Sequence, residues 1–157
     1  MKPLKLFCLY IFFAGFFGCK PDVKIEKPKI SFSFDDGSTQ DYPGYKNSNW
    51  NQLLLDKLNS EQVKAVLFVK GENLDSEEGK SIIKSWNSSG HLIANHTYSH
   101  PYFNSNKISL NRFKQELLKN DSLINPYSNF TKLFRFPYLK EGNTIEKRDG
   151  FRAFLID

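Results

Sequence analysis

The chain has 157 residues, enough for one domain around a single core. Its 39% hydrophobic and 25% charged residues are those of a globular protein, and no internal repeat or low-complexity stretch interrupts them. The net charge is +5, and setting aside Lys2 and Lys5 takes it to +3. Without a block of basic residues mixed with exposed aromatics, that excess excludes a nucleic-acid footprint and fits contact with an anionic envelope surface.

Met1 to Lys5 carries two lysines, and Leu6 to Gly18 is an uninterrupted apolar run. The run is short for a bilayer span but fits the apolar core of a secretory signal. It ends at Phe16-Phe17-Gly18-Cys19, where a small residue precedes a cysteine, as in a bacterial lipoprotein signal. Residues 1–18 are therefore expected to be a signal peptide, with Cys19 as the lipid-carrying first residue of a protein anchored in the cell envelope. Cys8 falls inside the signal, so Cys19 would be the only remaining cysteine and no internal disulfide is expected. Residues 19–29 are charged, contain Pro21 and Pro28, and read as an extended tether.

The domain is expected over residues 30–157. Ile30, Phe32 and Phe34 alternate with serines, the period of a first strand that Gly37 ends. Leu53, Leu54 and Leu58 put a helix over about Trp50–Asn59. Val63–Val69 is nearly all apolar, as in a strand buried on both faces. Asp75 and Glu78 read as a capping box opening a helix with Ile82, Ile83 and Trp86 on its apolar face and Gly90 at its C-terminal end. His91–Asn95 is a third strand, Ser109–Lys119 a helix striped by Leu110, Phe113 and Leu117, Lys132–Phe136 a fourth strand, and Phe151–Ile156 the start of a fifth. This alternation predicts an α/β fold with parallel strands.

The chemistry-bearing residues fall where strands end. Asp35 and Asp36 close the first strand, His96 follows the third, and Arg135 stands near the end of the fourth. Neighbouring strand residues point to opposite sides, so a turn at Gly37 is needed to bring both carboxylates to one site. His96 and His100 would lie one helical turn apart, or on a tight loop, with both rings able to face a common ion. One carboxylate and two imidazoles fill three positions on a zinc-like ion and leave another for water, whose proton the second carboxylate can take. Arg135 can hold a carboxylate by a two-pronged hydrogen bond, and Pro137 stiffens the turn that follows. His91 matches no ligand pattern and is expected to be structural. No glutamate sits beside the histidines in the helical pattern of a metalloprotease.

Together these clusters resemble the polysaccharide deacetylase family, the NodB-homology or carbohydrate esterase family 4 domain. Ser33-Phe34-Asp35-Asp36-Gly37 is similar to its first motif, Thr-Phe-Asp-Asp-Gly. His96-Thr97-Tyr98-Ser99-His100 matches its second, His-Ser/Thr-x-x-His, and Arg135, Pro137 and Tyr138 match its third, Arg-x-Pro-Tyr. The resemblance implies a distorted (β/α) barrel of NodB type, incomplete at the C-terminal end, and a divalent metal, usually zinc and sometimes cobalt. It implies that Asp36, His96 and His100 bind the metal. It further implies that Asp35 is the general base, that Arg135 orients it, and that the Tyr138 backbone N–H helps stabilise the oxyanion.

The resemblance also implies an acid histidine in a later Leu-x-His motif, preceded by Asp-x-x-Asp-Trp. Asp157 aligns with the first aspartate of that pattern. Two expectations follow. The leading one is a metal-dependent hydrolase that removes N- or O-acetyl groups from a polysaccharide, with metal binding possible and turnover weak or nil in the chain as given. The other is a catalytically impaired or vestigial carbohydrate-binding envelope lipoprotein that keeps the fold.

Overall fold

The computed structural model describes residues 29–156. The apolar N-terminal run, Cys19, nearly all of the tether, and Asp157 lie outside the described residues. Among the described residues, no helix is long and apolar enough to cross a membrane.

Four strands, β1 (Phe32–Asp36), β2 (Ala65–Val69), β3 (Leu92–Asn95) and β4 (Phe130–Phe134), form one parallel sheet in the order β1-β2-β3-β4. Helix α1 (Asn47–Ser60) connects β1 to β2, α2 (Glu77–Ser88) connects β2 to β3, α3 (Leu110–Ile124) connects β3 to β4, and α4 (Ile145–Ile156) follows β4. Short 3₁₀ turns at Gly71–Asp75 and Pro137–Leu139 follow β2 and β4. Each strand pairs with its successor and the order never reverses, which is the winding of a (β/α) barrel rather than of a doubly wound sheet. The chain is a partial (β/α) barrel.

The apolar pattern accounts for the core. β2 is buried on both faces and lies between β1 and β3. Leu55 and Leu58 of α1 and Ile82, Ile83 and Trp86 of α2 pack on Leu67, Val69 and Ile93 of the sheet. Of the alternating residues of β1, Phe34 packs against Trp86 with ring centroids 5.2 Å apart, while Phe32 on the edge stays exposed. A second cluster gathers six of the chain's 15 phenylalanines: Phe103, Phe113 and Phe151 are fully buried, with Phe134, Phe136 and Phe154 packed around them. Phe103 and Phe113 stack at 3.9 Å.

Two expectations from the sequence are corrected. Residues Phe151–Ile156 are the end of α4, not a fifth strand. Thr144 Oγ accepts from the Lys147 N–H at 3.2 Å at the start of that helix, and Phe151 and Phe154 face the aromatic cluster one turn apart. Gly150 sits inside the helix against the end of the Leu110 side chain, whose Cδ2 would lie 2.6 Å from a Cβ there. The cap of α2 is Ser76, one residue later than expected, accepting from the Gly79 N–H at 3.1 Å. Asp75 instead accepts from the Tyr98 hydroxyl, and Glu78 from the Asn47 amide.

Candidate active site

One row of paired residues, Asp36, Val69, Asn95 and Phe134, closes the sheet at its C-terminal end. Immediately beyond it stand Gly37, Lys70, His96 and Arg135. The topology therefore gathers, at one end of the sheet, the residues singled out in the sequence. His91 lies at the other end: its Nδ1 accepts from the Ala65 N–H at 3.2 Å, and its ring packs on Trp86 with centroids 5.0 Å apart.

The two carboxylates reach one site because the turn begins earlier than the sequence indicates. Asp36 itself takes a left-handed φ of 72°, followed by Gly37 at 67°, and the Gly37 N–H donates to the Asp35 carbonyl at 3.0 Å. Aspartate is among the few side chains that tolerate this region. The Asn73 amide donates to the carbonyls of Asp36 and Gly37 at 2.8 and 3.2 Å and braces the turn. As a result Asp35 Oδ2 and Asp36 Oδ1 each lie 3.9 Å from His96 Nε2.

The histidines sit on a loop, not on a helix, with Thr97 and His100 at φ of 66° and 57°. His96 Nδ1 lies 2.8 Å from the Arg135 carbonyl oxygen. A carbonyl only accepts, so Nδ1 carries the proton and Nε2 turns its lone pair to the site. His100 Nε2 is 3.2 Å from His96 Nε2 and 3.7 Å from Asp36 Oδ1. Burial, and then the neighbouring His96, push the His100 ring below its ordinary pKa, against the opposing pull of Asp36. A neutral imidazole is the state that ligates a metal.

The three side chains Asp36, His96 and His100 have ligand atoms that all lie within 4.8 Å of one another. Asp36 Oδ1 is buried and has no hydrogen-bond partner. A carboxylate oxygen left orphaned against two imidazole nitrogens is unfavourable unless a cation compensates it. The edges of the triangle, 3.2, 3.7 and 3.9 Å, bracket the edge of about 3.4 Å of a tetrahedral site with bonds of about 2.1 Å. The residues present thus fit a divalent ion. The Asp-His-His set suits zinc and neighbouring metals and leaves further coordination positions open.

Around this triangle the Arg135 guanidinium forks. Nη1 donates to Asp35 Oδ1 at 2.7 Å, Nη2 donates to Ser33 Oγ at 2.8 Å, and the group lies 4.1 Å from the centre of the Phe68 ring. Phe134 and Phe136 on either side of Arg135 enter the aromatic cluster, so alternation turns Arg135 toward the site. Beyond it, Tyr138 takes φ 56°. The N–H groups of Leu139 and Lys140 bond back to Phe136 and Pro137, while that of Tyr138 is paired with no described group. The Tyr138 ring rests on His100 at 4.6 Å. The bracing by Asn73, the stacking surface of Phe68 and the hydroxyl role of Ser33 were not readable from the sequence, because each is a contact between distant segments. Cys19 lies outside the described residues.

Comparison with known proteins places this geometry in context. A peptidoglycan-N-acetylglucosamine deacetylase of Bacillus cereus is 33% identical over 113 residues, covering 71% of this chain and 37% of the relative. A chitin deacetylase of Colletotrichum lindemuthianum is 29% identical over 117 residues, covering 70% of this chain and 42% of the relative. The crystal structure of a peptidoglycan N-acetylglucosamine deacetylase in complex with 4-naphthalen-1-yl-N-oxidanyl-benzamide superposes with a TM-score of 0.60 at 28% identity, over 80% of this chain and 52% of that one. The chain thus spans about 37–42% of the length of the curated relatives it matches. A family model described as polysaccharide deacetylase matches residues 22–153, most of the sequence, and the chain belongs to that family.

Proposed function

We propose that this chain carries the metal-binding and base portion of a deacetylase that hydrolyses the acetamide of N-acetylated sugars in a polysaccharide. The observation that carries the reading is the orphaned Asp36 Oδ1 aimed at His96 and His100, beside an Asp35 held by Arg135. The names of the relatives, one acting on peptidoglycan N-acetylglucosamine and one on chitin, favour N-acetyl over O-acetyl groups. Asp36, His96 and His100 would hold the ion, for which zinc is the first choice and cobalt a substitute.

A bound divalent ion supplies a Lewis acid that polarises the acyl carbonyl and makes water more acidic. Asp35 divides its oxygens. Oδ1 is tied to Arg135, while Oδ2 faces the site, free to take a proton from the attacking water. Ser33 and the Phe68 ring hold the guanidinium, so Arg135 presents Asp35 in one orientation. The unpaired Tyr138 N–H is a donor for the charge that develops on the carbonyl oxygen. The leaving amine needs a proton, and among the described residues the one on Asp35 Oδ2 is at hand. Residues 1–18 and Cys19 fit export and lipid attachment at the envelope, where a bacterial polysaccharide substrate lies.

The test is acetate release from N-acetylglucosamine oligomers by the full chain, stripped with chelator and reloaded with zinc or cobalt, alongside O-acetylated xylan. Release that needs the metal, prefers the N-acetyl substrate and falls at least about a hundredfold in Asp35→Asn is the expected result. Release indifferent to chelation, or unchanged in Asp35→Asn, would refute it. Cys19→Ala should abolish incorporation of labelled palmitate into the chain.

A further inference from the structure

Behind the histidine loop, and outside every motif named above, lies a buried carboxylate. Glu116 on α3 is 3% exposed. Its Oε2 accepts from the Ser99 N–H at 2.7 Å and from the Ser99 hydroxyl at 2.9 Å. Its Oε1 forms an ion pair with Arg112 Nη2 at 2.9 Å, one turn earlier on the same helix. Its backbone carbonyl accepts from the Tyr98 N–H at 3.2 Å. A carboxylate taken out of water is unfavourable unless donors surround it, and here two come from the residue that precedes His100.

The loop needs such a hold. Thr97 and His100 both occupy the left-handed region, which side chains with a Cβ rarely adopt and a β-branched threonine least of all. Such conformations persist only where the surroundings over-determine them. The first part of the loop has other anchors. His96 is fixed by Val69 and Arg135, the Thr97 N–H by Asn95 Oδ1, and the carbonyls of Thr97 and Tyr98 by the N–H groups of Gly71 and Glu72. For Ser99, every described hydrogen bond goes to Glu116.

We infer that Glu116, paired with Arg112, is a positioning residue that sets His100 against Asp36 and His96. The inference rests on the metal reading of that triangle. Loss of Glu116 releases His100 and leaves His96 and Asp36 in place.

The experiment measures zinc affinity of the full chain by competition with a chromophoric chelator, together with the visible absorption of the cobalt form. Glu116→Ala is expected to bind zinc about 10- to 100-fold more weakly, the range for groups that orient a ligand from behind, and to show a cobalt spectrum of higher coordination number. Glu116→Gln should fall between, because its amide must turn NH₂ either toward the Ser99 donors or toward Arg112. Adding Arg112→Ala to Glu116→Gln removes that conflict and should recover affinity. Ile124→Val, a packing change on the same helix but in the other core cluster, should lower the thermal midpoint yet keep zinc affinity. Wild-type affinity in Glu116→Ala, no recovery in the double variant, or an equal loss in Ile124→Val would each overturn the inference while the metal reading stands. If Glu116→Ala does not fold, Glu116→Gln and its double variant decide alone. Absence of zinc binding by the unaltered chain would overturn the metal reading and this inference together.

Discussion

Asp36→Asn separates the two faces of the proposed metal site, because its effect should change sign with the metal. Asparagine matches aspartate in shape and tolerates the left-handed φ of 72°, so the turn is preserved. In the metal-free chain Asp36 Oδ1 is buried without a partner, and such a group costs about 1–3 kcal/mol. The Asp36 side chain as a whole is 44% exposed, which puts the expected penalty at the low end, about 1 kcal/mol. The asparagine NH₂ can donate to an imidazole nitrogen and relieve it. With zinc at a hundred times its Kd, the native site should gain about 2.7 kcal/mol, and the variant, lacking the anionic ligand, little of it. For a domain of this size about 1 kcal/mol moves Tm by about 4 °C. Calorimetry should therefore show the variant melting about 4 °C above the native chain in chelator, and the native chain rising about 10 °C in zinc to overtake it. A variant that melts below the native chain in chelator, or that gains as much from zinc, would show that Asp36 Oδ1 is not a vacant ligand.

The remaining predictions address the two ends of the fold. Phe113 is fully buried, stacked on Phe103 at 3.9 Å and set edge-on to Phe151 at 4.8 Å, so Phe113→Ala should lose about 3–5 kcal/mol in urea unfolding. A loss under about 1 kcal/mol would mean that the aromatic cluster is not a second core. Burial, and then the Lys64 charge, hold the His91 ring below its ordinary value of 6.5. The unfolded chain therefore takes up this proton first, so stability is full above about pH 6.5 and declines as pH falls from there toward the lowered folded value. Compared between about pH 8 and about pH 5.5, His91→Gln should lose less stability than the native chain, and equal losses would contradict the assignment.

The sequence shows the strand ends clearly because it carries both needed signals in short range. Apolar runs mark β2 and the face of α2, and the Asp35-Asp36-Gly37 and His96-to-His100 spacings mark chemistry that parallel folds collect at one edge. What it conceals depends on partners far along the chain. The left-handed turn at Asp36 is braced by Asn73, and the Ser33–Arg135 contact spans 102 positions. Nothing local to Phe151–Ile156 distinguishes a strand from a helix except the Thr144 cap and the spacing of Phe151 from Phe154. The serine cap of α2 was masked by an acidic neighbour at a position that also suits a cap.

Arg135 then connects the two halves of the site through two chemically separate groups. Its backbone carbonyl fixes the proton of His96 on Nδ1, and its guanidinium holds Asp35 Oδ1. The carbonyl is kept in place by the sheet end, where the Arg135 N–H donates to the Asn95 carbonyl at 3.0 Å, and by Phe134 and Phe136 anchored in the aromatic cluster. The guanidinium depends on Ser33 and Phe68 instead. Replacing the side chain therefore disturbs Asp35 without moving His96, whereas loosening the phenylalanines moves both. The aromatic cluster has no polar group to offer the chemistry, yet it fixes the position of the one residue that His96 and Asp35 share.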